Sequence, residues 1–281
     1  MIHSDLSRYT REDLLNVARA SPLAVAKHDK QAWLALFSAN AVVEDPVGTA
    51  PHRRTPGNSA PIDRFYETFI APNDIVFRET QTIVVGNCVI RDVTIEVKSR
   101  TGLTTNVHMY LLYELTEEAG QLKIGRLAAH WELKSMVRQV LSRGWPGFKM
   151  MNAQSIGMLR YQGLGGVWGY MKGFSGIGHR GKEAVRRFVD AANSRDSGAI
   201  ADLLDAGCPG IEFPVGGRPL ALSAFLGASG GRLSVSDPIS SGYVTGFRFR
   251  VESDAGVRQG IGLMEFSRKT RKIARAQFFW E

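Results

Sequence analysis

The sequence predicts an α+β fold built as two similar halves, and three observations carry that prediction. Residues 43–48 read Val-Glu-Asp-Pro-Val-Gly and residues 211–216 read Ile-Glu-Phe-Pro-Val-Gly. Each half closes alike, Lys123-Ile124 leading to Trp131-Glu132 and Lys272-Ile273 leading to Trp280-Glu281. Within the first half, helical periodicity comes first and strand periodicity follows, the order expected of helices packed on an antiparallel sheet. A repeat this long is a doubled domain; a solenoid would repeat every ~20–50 residues. The length of 281 residues fits two domains of about 100–150 residues each.

Taken in order, Thr10-Arg11-Glu12-Asp13 has the pattern of a capping box opening a helix toward His28. Pro22 is expected to break or kink that helix, because it lacks an N–H and its ring crowds the preceding turn. Residues 30–38 read as a second short helix with Trp33, Leu34 and Phe37 on its apolar face. A strand begins at Val42-Val43, and Pro46 biases Asp45 toward an extended backbone. Ile62, Phe65, Tyr66 and Phe69 stand at i, i+3, i+4 and i+7, the spacing of a helix that buries one face. Only strands are expected beyond it. Residues 83–85 and 89–97 flank a turn at Gly86-Asn87, and further strands cover about 104–116 and 122–132. Alternation of Val93, Ile95 and Val97 with charged or polar neighbours marks a half-buried strand. Helices laid on one face of such a curled sheet give a cone-shaped domain.

The halves are unequal. From Gly48 to Lys123 is 75 positions, but from Gly216 to Lys272 only 56, and the second half keeps just a helical stub near 222–226. It also has Phe213 where the first has Asp45, and Phe279 where the first has His130. A carboxylate kept in one copy and lost in the other points to one chemical site and one degenerate copy. The expected organisation is a first domain over 1–135, an interdomain segment over 136–180 and a degenerate domain over 181–281.

The net charge of +8 is concentrated. Residues 133–180 hold seven Lys/Arg and no Asp or Glu, and they are also apolar and Gly-rich. A pair of interdomain helices with solvent-facing basic residues is one reading, and a basic amphipathic surface against anionic lipid is the other. No nucleic-acid partner is expected, since no recognised module accompanies the charge. The N-terminus lacks a secretory apolar run and no stretch of 18 apolar residues occurs, so a cytoplasmic chain is expected. Cys88 and Cys208 read as buried thiols, and the absence of Cys-x-x-Cys and His-x-x-x-His patterns argues for no metal.

Together, His28-Asp29, Leu36-Phe37, the Glu44-Asp45-Pro46-Val47-Gly48 phrase, Pro51 and the Phe65-Tyr66 helix resemble Δ5-3-ketosteroid isomerases of the NTF2-like (SnoaL-like) superfamily. The resemblance covers about 14–133 in detail and 181–281 more faintly, so it implies two cone-shaped domains in tandem. It implies that Asp45 is the catalytic base of a cofactor-free isomerase acting on an apolar polycyclic ketone. The second copy would stand in for the homodimer partner common in the superfamily, with room for further homodimerisation. The sequence departs from the pattern at the oxyanion donors: Ser21 stands at the helix position of the usual Tyr, and Met109 or Tyr110 at the strand position of the usual Asp. Substitute donors are sought among Tyr110, His130 and His108, with Tyr113 a further candidate. Trp33, Phe37, Phe65, Phe69 and Trp131 are the expected lining of the substrate site. The same fold supports cyclases, dehydratases and epoxide hydrolases, and a non-catalytic steroid or lipid carrier is the alternative outside enzymology.

Overall fold

The computed structural model describes residues 6–228, 230–254 and 256–281. The chain divides into two compact units. The first runs to Thr82 and resumes from Asn87 to Ser175, and the second takes Ile83–Gly86 and Gly176–Glu281. Each is a mixed α+β body with helices and a curved, largely antiparallel sheet.

In the first unit α1 (Arg11–Ala26) starts with the expected capping box. Thr10 Oγ1 accepts from the Asp13 N–H at 3.2 Å, and the Thr10 N–H donates to the Asp13 carboxylate at 2.8 Å. Pro22 lies inside this helix without ending it; Ala24 and Val25 beyond it are buried and hold the last turn against the body. Helix α2 (Lys30–Ala35) is capped by Asp29, whose carboxylate accepts from the Ala32 N–H at 2.9 Å. This helix is shorter than expected, because Phe37 already opens strand β1 (Phe37–Glu44). A short β2 (His52–Arg53) follows, then α3 (Ala60–Phe65), which widens into a π-helical turn over Tyr66–Ile70. Four long strands complete the sheet: β3 (Asn73–Val85), β4 (Cys88–Ser99), β5 (Thr104–Glu118) and β6 (Gln121–His130). Their order is β2-β1-β6-β5-β4-β3, with β1 parallel to β6. Helices α4 (Leu133–Leu141) and α5 (Trp145–Met171, kinked at Gly163) and a 3-10 turn over Lys172–Phe174 follow. Residues 136–175, expected as an interdomain segment, thus pack with the first unit.

The second unit contains α6 (His179–Asn193), α7 (Ser197–Leu203), β7 (Ile211–Glu212), α8 (Leu222–Ala228), β8 (Arg232–Ser241), β9 (Val244–Ser253), β10 (Gly256–Phe266) and β11 (Ile273–Phe279). Its sheet order is β7-β11-β10-β9-β8, with β7 parallel to β11.

Local detail recurs between the units. Asp196 caps α7 as Asp29 caps α2. Glu44 pairs with Arg126 and Glu212 with Arg275, at 2.7 and 2.6 Å. The Val47 and Val215 N–H groups each donate at 2.9 Å to the final sheet strand, at the Ala129 and Phe278 carbonyls. The peptides before Pro46 and Pro214 are both cis. Glu of the repeated phrase is therefore bound to an Arg in each unit, which leaves the neighbouring position as the one whose chemistry differs. Cys88 is buried and Cys208 only half-buried, and neither forms a disulfide.

Candidate functional site

Asp45 follows the last residue of β1, where the parallel pairing with β6 brings the chain beside Trp131. The Trp131 indole N–H donates to Asp45 Oδ1 at 2.6 Å. Asp45 is half-buried, with its carboxylate set among closely packed protein atoms. Burial pushes its pKa from 3.8 up to about 6, and the Trp131 hydrogen bond pulls in the opposite direction. A carboxylate tuned near neutrality takes and returns protons more readily than an ordinary aspartate.

An aromatic row runs beside it. Trp33 meets Phe37 edge-on at 4.5 Å and stacks on Phe65 at 6.1 Å; Phe65 contacts Phe69 at 5.2 Å; and Phe69 stacks on Tyr170 at 5.6 Å. Trp33, Phe37 and Phe65 are fully packed, so they shape the wall from behind, whereas Phe69 and Tyr170 keep accessible surface. Tyr170 comes from α5. Burial, and then the charge of Asp45, raise its phenol well above the ordinary range, so it stays a hydrogen-bond donor at any working pH.

The segment carrying Asp45 and the end of α5 are fitted closely together. The Ala50 N–H donates to the Gly169 carbonyl at 3.0 Å. A Cβ at Gly169 would stand 2.7 Å from Ala50 Cβ, and one at Gly173 would stand 2.7 Å from Thr49 Cγ2. Thr49 in turn donates to the Pro46 carbonyl at 2.8 Å. Two glycines four positions apart thus let α5 lie against the turn after Asp45, with Tyr170 between them.

The register of the sheet separates the other predicted donors from this group. Tyr110 stands opposite Asp92 on β4 and His130 on β6. His108 lies two positions away on the same side, 2.7 Å from the buried Asp92 carboxylate, with its ring 5.3 Å from Tyr110. Tyr113, three positions on, takes the opposite side of the strand. It faces α1, where it hydrogen-bonds Ser21, and it feels the charge of Asp45. The structure therefore does not bring His108, Tyr110 and His130 to the Asp45 side. The His130 ring contacts the Tyr110 carbonyl at 3.0 Å, and burial and nearby Arg126 lower its pKa to about 4, leaving it neutral. The groups on the Asp45 side include Trp131, Tyr170, Tyr113, the buried Arg91 that hydrogen-bonds Tyr113, and Ser21, which also accepts from Trp33 Nε1 at 3.2 Å. Among the described residues no group of three or more His, Cys, Asp or Glu is gathered to hold a metal.

The second unit shows the same position without its acid. Phe213 packs against Phe225, Phe278 and Trp280 at 5.4–5.7 Å. The buried Trp280 Nε1, counterpart of the donor to Asp45, has no hydrogen-bond partner among the described residues. The two indoles should therefore respond differently to substitution. Trp131→Phe removes a bond to the carboxylate form and should raise the Asp45 pKa above about 6, measured as an alkaline shift in its titration. Trp280→Phe removes an unpaired N–H and part of the ring over which Arg258 lies at 5.0 Å, and should cost about 1 kcal/mol in urea denaturation without moving the Asp45 titration. An equal effect of the two on Asp45 would show that the indole bond does not tune it.

Comparison with known proteins is decisive for one segment: residues 18–123 match the family model of the SnoaL-like domain. No curated protein matches the chain significantly. Among solved structures, the chain finds likenesses at low overlap. A Mycobacterium tuberculosis protein in complex with estradiol-17β-hemisuccinate is 22% identical over 43% of this chain and 95% of its own, with a TM-score of 0.38. Δ5-3-ketosteroid isomerase from Mycobacterium sp. is 25% identical over 44% and 96%, with a TM-score of 0.39. An M. tuberculosis LEH-like epoxide hydrolase is 14% identical over 52% and 96%, with a TM-score of 0.38.

Proposed function

We propose that the first unit is a cofactor-free isomerase that moves a proton on an apolar, polycyclic ketone, and that the second unit is a degenerate copy of it. The half-buried carboxylate of Asp45, raised to about 6 and replaced by the buried Phe213 in the other unit, carries this reading. Asp45 would take the acidic proton from the carbon between a ketone and a β,γ double bond. The resulting dienolate carries its charge on the carbonyl oxygen, and reprotonation at the γ carbon yields the conjugated enone. No atom is gained or lost, and the same carboxyl group accepts and returns the proton.

The dienolate oxygen needs a donor aimed at it in a site screened from water. Tyr170 best fits that role, because its phenol keeps accessible surface, is held protonated, and lies close enough to Asp45 to feel its charge. Tyr110, His130 and His108 lose the part first expected of them, since the strand register turns them to the other side of the sheet. Phe69 supplies the accessible apolar surface, with Phe65, Trp33 and Phe37 packed behind it.

The test is turnover of a β,γ-unsaturated 3-ketosteroid followed by conjugated-enone absorbance. The base must be ionised, so kcat/KM should rise with pH through about 6 and then level off. Enone formation with no inflection between about pH 5 and 7 would remove Asp45 from the reaction. Opening of an apolar epoxide to a diol, with no isomerisation, would place the protein with the hydrolases of this fold instead.

A further inference from the structure

Large apolar side chains are unevenly exposed. Leu141, Trp145, Phe148, Ile156, Leu159, Leu164, Trp168 and Met171 are all exposed, and all fall in or beside α5. Trp145, Leu164 and Trp168 are 75%, 79% and 73% exposed, far beyond what isolated surface hydrophobics of a packed helix show. The opposite side of the helix is occupied. Gly147, Met158 and Gly169 are buried there, and Gln154 and Gln162 bond to the Thr68 carbonyl and hydroxyl. Exposed positions 145, 148, 152, 156 and 159 recur every three or four residues along the outer face, and exposed 164, 168 and 171 show the same spacing in the helical stretch beyond the kink at Gly163.

The charge on this segment has one sign. Lys134, Arg138, Arg143, Lys149, Arg160 and Lys172 are all exposed, and no Asp or Glu occurs from Leu133 to Lys182. Indole rings and long basic side chains over an apolar stripe match the boundary between lipid headgroups and acyl chains, where the ring's apolar body and polar edge are both accommodated. Among the described residues no helix is long and apolar enough to cross a membrane. A helix of this kind lies in the plane of the interface.

We infer that the outer face of α5 is a docking surface for an anionic lipid bilayer, with Trp145, Phe148, Leu164 and Trp168 entering the acyl boundary and Arg143, Lys149, Arg160 and Lys172 contacting the headgroups. The inference stands apart from the reaction assigned to Asp45, because it uses the opposite side of the helix.

Flotation of the full-length protein with vesicles tests it. With about one-third phosphatidylserine in phosphatidylcholine, binding should exceed that to pure phosphatidylcholine by roughly tenfold or more, and should weaken between about 0.1 and 1 M salt. The double variants Trp145→Ala/Trp168→Ala and Lys149→Glu/Arg160→Glu should each lower binding by about tenfold or more, since one removes insertion and the other reverses charge. All four residues are exposed, so neither variant removes core packing. Equal binding to neutral vesicles, or unchanged binding of both double variants, would overturn the inference. A dimer in sedimentation velocity that the Trp145→Ala/Trp168→Ala variant dissolves would overturn it in favour of a second copy on this face. Tight binding of single-stranded RNA with none to vesicles would overturn it in favour of nucleic acid.

Discussion

Asp45→Asn should lower enone formation by about 10²- to 10⁴-fold, the contribution of a positioned general base, and at the same time make the folded chain more stable at pH 8. The second half of this expectation follows from linkage. The Asp45 pKa is about 6 in the folded protein against 3.8 for the free side chain, so the folded state binds the proton more tightly than the unfolded state does. Below pH 3.8 both states are protonated and the full favourable contribution is present. It is lost as pH rises through about 6, because the folded protein must then hold a carboxylate deprived of water. With each pKa unit worth about 1.36 kcal/mol, the cost above pH 6 is at most about 3 kcal/mol. An amide at this position avoids that cost and still offers an oxygen to the Trp131 N–H. Urea denaturation of wild type and Asp45→Asn should therefore diverge at pH 8, with the variant more stable, and converge near pH 4. A variant that loses activity but shows no such pH-dependent gain would mean that Asp45 is solvated and its pKa ordinary. A variant that keeps full activity would remove it as the base.

The contrast between Asp45 and Phe213 was legible in the sequence because the repeated phrase supplies its own control, and the structure gives that contrast physical content. In one unit an indole N–H holds a carboxylate. In the other the equivalent indole N–H faces a phenylalanine and goes unpaired among the described residues. The Thr10–Asp13 capping box was equally legible, since capping depends on residues three positions apart. Pro22 was misjudged for the complementary reason: burial of Ala24 and Val25 is a tertiary effect that outweighs a local break. The donors were misjudged on similar grounds. A strand's period of two separates His108 and Tyr110 from Tyr113 but does not say which side the helices cover. That choice is made by Ser21 of α1 meeting Tyr113. Tyr170 escaped notice because its role depends on how α5 folds back, and the only trace in the sequence was the pair of glycines at 169 and 173 that lets it approach the Asp45 turn.

Tyr170→Phe should lower kcat by about 10²- to 10³-fold, the usual loss when a donor to a developing oxyanion is removed, while leaving the pH midpoint near 6. The ring is kept, so stacking on Phe69 at 5.6 Å survives and KM for an apolar substrate should change little. The midpoint is the discriminating measurement. Desolvation and the Trp131 bond set the Asp45 pKa, and the Tyr170 hydroxyl contributes to neither in a leading way. A phenol acting only as a packing piece would leave kcat unchanged on conversion to Phe. One that merely positioned Asp45 would move the midpoint along with the rate. A loss of kcat at constant midpoint and constant KM fits only a group whose hydrogen bond strengthens as negative charge reaches the substrate oxygen, since that interaction is worth more in the transition state than in the ground state. Gly169→Val provides an independent check. Its side chain would be forced against Ala50, whose Cβ already lies 2.7 Å from the position of any Cβ at Gly169, so α5 must move away from the Asp45 turn. Activity should then fall as in Tyr170→Phe although the phenol is present, and a fully active Gly169→Val enzyme would show that Tyr170 is not the donor.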